Sequence, residues 1–525
     1  MNSNRYIKII LSLGILLLAN SCSEDFLIRE PLDQRTELNF YATESDAAEA
    51  LVSIYDVLQW NTVVGFHPFE MLSDIASDDT YAGGASRTDA PNIIEIDRHN
   101  IRTTNPEVHG MWRKYYIGIY RANLYLEKIE GIEASDAFKA RTIAEAKFLR
   151  GYFYFDLIRF FGAVPLITQT LEPSEYNQPQ SSAADVFNQI AKDLYEAIEG
   201  LPETISDNEL GRISKWAAKA QLAKVFLFYN GKFNANLQAG NTTINAAIAL
   251  EQLNTLIEES GHDLLANYAN NFRRDYQFSE ESVFEIVYSD SRPWWDWGYI
   301  HGGEGNIAAQ MQGPRVEEPA LEQFDRGWGF NIPTQELVDA FEPNDPRFAA
   351  TFIFEDDFVG GITKGYQHTG YFSRKYTTHK EYRGSTGQPE LNFGNNYRVI
   401  RFSDVLLMAA ELQHLTGGNT AAAQPYFNRV RERVGLGEKP ATMENIYQER
   451  RVELALEGHR YWDLLRRGTN IAAERISISG SRGPRYVGDQ PDFDIVFNAA
   501  TDGLFPIPQS EVDLAAGQFS QNNGY

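Results

Sequence analysis

Arg292-Pro293-Trp294-Trp295-Asp296-Trp297-Gly298-Tyr299-Ile300-His301 places three of the chain's eight tryptophans in four positions. Glycines at 298, 302, 303 and 305 oppose a helix here, so the stretch reads as a loop. Aromatic rings on a loop suit pyranose sugars. The C–H face of the sugar is apolar and lies flat on a ring, while Asp, Asn and Arg side chains reach the hydroxyls at its edge. Trp60, Tyr81 and Trp328 stand in similarly irregular or Gly-rich stretches. The alternative for each ring is ordinary packing in the core, and the sequence leaves both open.

Other chemistry is sparse. Asp74, Asp78 and Asp79, or Glu355, Asp356 and Asp357, have the hard oxygen ligands that suit Ca2+, although solvated loop charges explain them as well. The sequence contains no H-E-x-x-H, G-x-S-x-G or P-loop. Gly303-Glu304-Gly305-Asn306-Ile307-Ala308 has dinucleotide-motif spacing but does not sit directly between a strand and a helix. A single cysteine, Cys22, excludes intrachain disulfides and Cys-rich zinc sites. The nine histidines lack metal-ligand spacing. No cofactor, metal or catalytic residue is therefore expected, though sequence cannot measure the separation of a glycosidase carboxylate pair. With 47 Lys and Arg against 72 Asp and Glu, the net charge of −25 argues against nucleic acid and anionic lipid as partners.

The elements that must position these residues begin after a leader. Arg5 and Lys8 precede an uncharged apolar run, Ile9 to Ala19, which is shorter than the roughly 20 residues of a membrane span. Residues 1–21 read as a signal peptide. Leu18-Ala19-Asn20-Ser21-Cys22 resembles a bacterial lipobox, which implies cleavage before Cys22 and its lipidation. Ser23-Glu24-Asp25 resembles the surface-export signal of Bacteroidetes lipoproteins.

Helical periodicity then dominates. Helices are expected over 45–60, with a Thr43/Asp46 capping box, and over 111–129, 136–161, 183–199, 215–229 and 245–259. Later ones are expected over 403–416, 420–434 and 443–467. Such runs joined by short turns predict a mostly α fold of stacked helical hairpins, mainly at 43–261 and 403–468. Between about 262 and 402 the periodicity fades except at 334–341. Gly, Pro and aromatics rise, and β-like runs appear at 282–288 and 351–354, which predicts a loop-rich insert. Residues 60–110 and 477–503 read as irregular too. Arg450, Arg451, Glu453, Glu457 and Arg460 have i,i+3 and i,i+4 spacings suited to ion pairs along one helix, with Trp462 and Leu464 in the core.

Several segments resemble the SusD/RagB family of starch-utilisation-type outer-membrane lipoproteins. They are Cys22-Ser23-Glu24-Asp25-Phe26-Leu27, Tyr120-Arg121-Ala122-Asn123, and the run from Ala146 to Leu157 followed by Phe161-Gly162-Ala163-Val164-Pro165-Leu166. Arg450 through Gly468, Phe505-Pro506-Ile507-Pro508 and the terminal Gln521 to Tyr525 complete the set. The resemblance runs over the whole mature chain, 22–525, and implies a SusD-like fold of TPR-like hairpins with an irregular insert. It also implies a non-catalytic, lipid-anchored glycan receptor on the outer face of the outer membrane, partnered with a TonB-dependent SusC-like transporter. A structural lid, a peptide or protein receptor, and a surface glycoside hydrolase are the alternatives. The ligand loops of the family lie early in the mature chain and in the insert. The candidates carried over are Asp78, Asp79, Tyr81 and Arg87, then Trp294, Trp295, Trp297, Tyr299 and Trp328. The acidic surface favours a neutral glycan unless basic side chains gather locally.

Overall fold

The computed structural model describes residues 41–292, 304–316, 323–358, 361–478 and 494–525. Among them are 17 helices and four two-stranded antiparallel sheets. Helix α1 (Glu44–Asp56) leads through α2 (Phe69–Ile75), β1 (Thr80–Gly83) and α3 (Pro91–Asp97) into α4 (Pro106–Lys128). From there the helices pack in sequence order. α4 lies on α5 (Asp136–Phe161), α5 on α6 (Ala183–Gly200) and α6 on α7 (Lys215–Phe233). After the β2–β3 hairpin (Leu237–Ala239, Thr242–Ile244), α7 lies on α8 (Ala246–Glu259).

The insert follows. It holds β4 (Ser282–Ile286), α9 (Ile307–Gln312), β5 (Phe330–Pro333), α10 (Gln335–Asp339), α11 (Arg347–Thr351), β6 (Phe352–Phe354), β7 (Tyr371–Ser373) and β8 (Tyr397–Arg401). The frame resumes with α12 (Phe402–Leu415), which packs on α8, and continues through α13 (Thr420–Arg433), α14 (Met443–Glu453), α15 (Arg460–Arg467) and α16 (Thr469–Ile476). A short α17 (Gln509–Leu514) lies near the C-terminus. This is the mostly α, stacked-hairpin fold with a loop-rich insert that periodicity predicts.

Local sequence explains the boundaries. Thr43 Oγ1 accepts from the Asp46 N–H at 3.2 Å while the Asp46 carboxylate accepts from the Thr43 N–H at 2.8 Å, completing the capping box. Ser182 and Ser214 cap α6 and α7 in the same sense. α5 is buried on every side from Phe148 to Phe161, because it is covered by both α4 and α6, so its second half shows no polar stripe.

Four expectations need correction. The stretch 60–110 holds α2, β1 and α3. α2 is buried at all seven positions and so lacks an amphipathic signature. Helix α7 does not stop before Gly231 but runs to Phe233, because Gly231 lets the helix press on the backbone of Arg466; a Cβ there would lie 2.5 Å from the Arg466 carbonyl oxygen. The single helix expected over 443–467 is two helices. Leu456 (φ 60°) and Gly458 (φ 76°) turn the chain between them, and Gly458 is fitted against the Cα of Glu70.

The fourth concerns charge. The residues of 450–460 do not pair along one helix. They are buried, and each reaches across the fold. Glu453 accepts from Arg401 (2.8 Å), Arg433 (2.6 Å) and Arg347 (2.9 Å). Glu457 accepts from Arg401 (2.8 Å) and Lys375 (2.7 Å). Arg450 donates to Asp404 (2.6 Å) and Asp463 (3.0 Å). Burial alone would raise the Glu453 carboxyl, but Arg433, Arg401 and Arg347 override it and hold it well below the usual range. Trp462 and Leu464 are core residues, as expected.

Glu453→Gln would take one buried carboxylate charge away from three buried guanidinium groups, leaving Arg347 to Asp345 and Glu449, Arg401 to Glu281 and Glu457, and Arg433 to Glu281. It is expected to lower stability by about 3–5 kcal/mol, read as a shifted denaturant midpoint. Gly231→Ala would ordinarily stabilise a helix by about 1 kcal/mol. Here it is expected to cost about 1–3 kcal/mol in the same measurement, because the clash is with backbone.

Candidate functional site

β1 and β5 pair with Tyr81 opposite Ile332 and Gly83 opposite Phe330. That pairing lays the loop after β1 against the loop before β5. The Gly84 N–H donates to the Gly329 carbonyl (2.7 Å), and the Tyr366 N–H donates to the Gly84 carbonyl (2.9 Å). The Thr363 N–H donates to the Arg315 carbonyl (2.8 Å). Irregular segments around 84–90, 313–316, 323–329 and 361–367 therefore converge.

Trp328 sits half-buried at this junction, with its ring edge-on to Phe66 (centroids 5.8 Å apart, 74° between planes). Arg315 Nη1 donates to the Trp328 carbonyl (3.1 Å), and Gln310 accepts from the Trp328 N–H through its own carbonyl (2.9 Å). Beside the ring is a cleft of about 450 Å3, rimmed by Arg315, Arg326, Arg383, Asp325 and Glu390. Its size is that of ordinary small-molecule sites. Arg383 pairs with Asp325 at 2.7 Å. Arg87 is exposed, with its guanidinium carbon 6.0 Å from the ring centre of Tyr366, whose hydroxyl accepts from Arg98 (2.6 Å).

Beneath this junction lies a cluster of buried polar side chains. Asp97 Oδ2 accepts from Gln367 Nε2 (2.5 Å), and Gln367 Oε1 accepts from the Gly83 N–H (2.9 Å). Gln367 (φ 55°) and Asn331 (φ 56°) both hold left-handed backbone, pinned by these bonds and by Asn331 Nδ2 donating to Gln312 Oε1 (2.7 Å). Burial pushes the Asp97 carboxyl up to about 7, although Gln367 and the Ala82 N–H favour its charged form. Burial likewise raises Glu70 and Glu107 to about 7 and lowers His67 to about 3.

The nine carried-over candidates fall in different places. Trp328 is in the cleft, whereas Arg87 is exposed beside Tyr366 and does not line it. Tyr81 is buried on β1. Asp78 and Asp79 are buried as well, in ion pairs rather than at the surface. Asp78 takes a bidentate pair from Arg460 (2.7 and 2.8 Å), and Asp79 accepts from Arg451 (2.8 Å). Burial would raise Asp78, but Arg451 and Arg460 hold it well below the usual carboxylate range. For Asp79 burial prevails and its pKa goes up. Asp74 is buried too, accepting from the Gly458 N–H (3.0 Å). Among the described residues no group of three or more His, Cys, Asp and Glu is arranged around a metal position. Trp60 lies in the core under Arg121, 4.7 Å from ring centre to guanidinium.

Trp294, Trp295, Trp297, Tyr299 and Cys22 lie outside the described residues. The described flanks of the tryptophan stretch are held together. The Ser289 N–H donates to the Glu304 carbonyl (2.8 Å), and Arg274 grips Asp290 with two bonds of 2.8 and 2.9 Å. Gly305 abuts Leu391, next to the Glu390 wall of the Trp328 cleft. Sequence reasoning missed Phe66, Arg315, Tyr366 and Arg383. The only local signals were glycines and prolines beside them, such as Gly313-Pro314-Arg315 and Gly365-Tyr366.

A frame of stacked helical hairpins that carries a loop-built aromatic cleft on an irregular insert defines a class of helical-repeat protein. The chain belongs to the SusD family. The SusD family model matches residues 281–525, and a model described as starch-binding associating with outer membrane matches 32–227. Among solved structures, a laminarin binding SusD-like protein is 35% identical, with a TM-score of 0.78 over 92% of this chain and 100% of that one. Surface glycan-binding protein A from Bacteroides thetaiotaomicron, in complex with laminarihexaose, is 27% identical over the same shares, with a TM-score of 0.78. The SusD-like protein P25 of Formosa agariphila is 26% identical over 85% of this chain and 87% of its own. Among the described residues no helix is long and apolar enough to cross a membrane.

The raised Asp97 carboxyl gives a signed pH effect. The folded state holds this proton up to about pH 7, while the unfolded state gives it up near the ordinary value of 3.8. Wild-type stability from this group therefore falls as pH rises between those values. The stability of Asp97→Asn relative to wild type is expected to grow by about 2.5 kcal/mol from about pH 5 to about pH 8, measured by denaturation at each pH.

Proposed function

We propose that this chain captures oligosaccharide at the Trp328 cleft and hands it to a TonB-dependent, SusC-like transporter without chemically altering it. Cys22, acylated after cleavage of residues 1–21, anchors the mature chain, 22–525, to the outer membrane facing outward. The observation that carries the reading is the cleft itself. A half-buried indole braced by Phe66 offers a flat apolar face, and Arg315, Arg383, Asp325 and Glu390 supply donors and acceptors around it. Trp294, Trp295, Trp297 and Tyr299 join the site in this reading, because they belong to the same insert and Gly305, on their C-terminal side, abuts Leu391, the residue after Glu390 of the cleft. Arg87, exposed beside Tyr366 on the converging segment, adds a donor in this reading. Asp78, Asp79 and Tyr81 act indirectly, by fixing β1.

A neutral glucan is the preferred ligand class. The chain carries a charge of −25, and the arginines of the cleft stand beside Asp325 and Glu390. The laminarin and laminarihexaose named for the two structural relatives are neutral as well. A few stacked rings with several hydrogen bonds give micromolar to millimolar affinity, weak enough for release.

Isothermal titration with laminarin tests the site. Trp328→Ala is expected to weaken binding about tenfold; unchanged affinity would exclude the cleft, and binding restricted to anionic polysaccharides would overturn the neutral preference. Incubation with the bound polysaccharide is expected to release no reducing sugar.

A further inference from the structure

A second aromatic groove lies on the helical frame, away from the insert. α4 presents Trp112, Tyr116 and Tyr120 at i, i+4 and i+8, on one face. The segment 173–178 forms the facing wall with Tyr176, and Leu514 of α17 closes one end. The groove encloses about 690 Å3, within the range of ligand sites.

Two of its rings and one aliphatic side chain stand open to water, while Trp112 is buried beneath them. Tyr120 is 50% exposed, Tyr176 68% and Leu514 77%. The three residues that follow Tyr120 serve the scaffold. Within the Tyr120-Arg121-Ala122-Asn123 run, Arg121 pairs with Asp56 and covers Trp60, Ala122 is buried, and Asn123 holds Arg150 (2.9 Å) and the Ile167 carbonyl (2.9 Å). The groove is also preformed. Trp112 packs 5.0 Å from Tyr116 and edge-on to Phe161 at 5.1 Å, and the Tyr116 hydroxyl donates to the Pro165 carbonyl (2.9 Å). The Tyr176 wall is held by the Glu172 N–H donating to the Glu175 carboxylate (2.9 Å) and by Gln178 Nε2 donating to the Glu175 carbonyl (2.7 Å).

Phenol rings with Arg113, Asn177 and Glu511 at the rim match a ligand that is flat and apolar on one face and hydroxylated at its edge. A partner helix would instead need a continuous row of apolar pockets, and Leu514 is the one strongly exposed aliphatic side chain among the described groove residues. We propose that this groove is a second saccharide-binding site, in which neutral pyranose units of the same polymer stack on Tyr120 and Tyr176. It rests on the glycan-capture reading above. Two sites on one chain would let a long polysaccharide bind more tightly than a short oligosaccharide, by effective concentration alone.

The test compares wild type, Tyr120→Ala/Tyr176→Ala, Tyr176→Phe and Trp328→Ala by titration with laminarihexaose and laminarin, alongside a panel of neutral polysaccharides. The proposal expects two hexasaccharides per wild-type chain and one per double variant, with residual affinity at Trp328 changed less than about twofold. Laminarin affinity falls about tenfold in the double variant, and Tyr176→Phe behaves as wild type because its ring is kept. Full stoichiometry and polymer affinity in the double variant, with all binding lost in Trp328→Ala, would refute the groove and leave the first site standing. Loss of co-purification with an outer-membrane protein at unchanged glycan stoichiometry would make the groove a protein interface, and would also refute the proposal. Failure of wild type to bind any of these glycans would remove both sites.

Discussion

A charge taken out of water must find an opposite charge, and in this protein that requirement organises everything else. Glu453 and Glu457, at the break between α14 and α15, collect Arg347 and Lys375 from the insert, Arg401 from β8 and Arg433 from α13. Arg450, Arg451 and Arg460, from the same short stretch, collect Asp404 from α12 and Asp79 and Asp78 from the start of the chain. Moving any one of these groups takes a countercharge away from at least one buried partner, in a medium that hydrates it poorly. The frame, the insert and the early segment are thereby locked to one another.

The cleft inherits its geometry from that lock. Asp78 and Asp79 sit immediately before β1, so their arginines fix the strand. β1 in turn aligns β5 and, through Gly84, the backbone of Tyr366. Trp328 and Arg315 then sit on loops whose ends are held by strand pairing, and their own flexibility is spent on one another and on Phe66. A site assembled this way can vary its loop residues without disturbing the support. That suits recognition of different sugars on a shared scaffold.

Much of the fold was legible because helix periodicity and capping are local signals. Thr43 with Asp46, Ser182, Ser214 and Gly162 mark helix ends that the structure keeps. Legibility ended where burial on all sides erased the pattern, as in α2, or where the reason for a residue lay far away, as with Gly231 against Arg466. The site divides in the same way. Trp328 could be picked out because a tryptophan in a Gly-rich stretch is locally odd. Asp78 and Asp79 were equally conspicuous, yet what they do depends on arginines that no local window contains. Arg315, Arg383 and Tyr366 carry no local mark, since only tertiary contact brings them beside the indole.

The pairs that tie the early segment to α15 and its approach join residues separated by 372, 382 and 384 positions in the chain. As the polypeptide emerges from its N-terminal end, Asp74, Asp78 and Asp79 therefore wait for nearly the whole remaining length before their partners exist. Contacts so remote give the topology a high contact order, and the final closure belongs to the slow, late part of folding. The N-terminal helices can stack early on local contacts, but the polar centre stays hydrated and unlatched until the last hundred residues arrive.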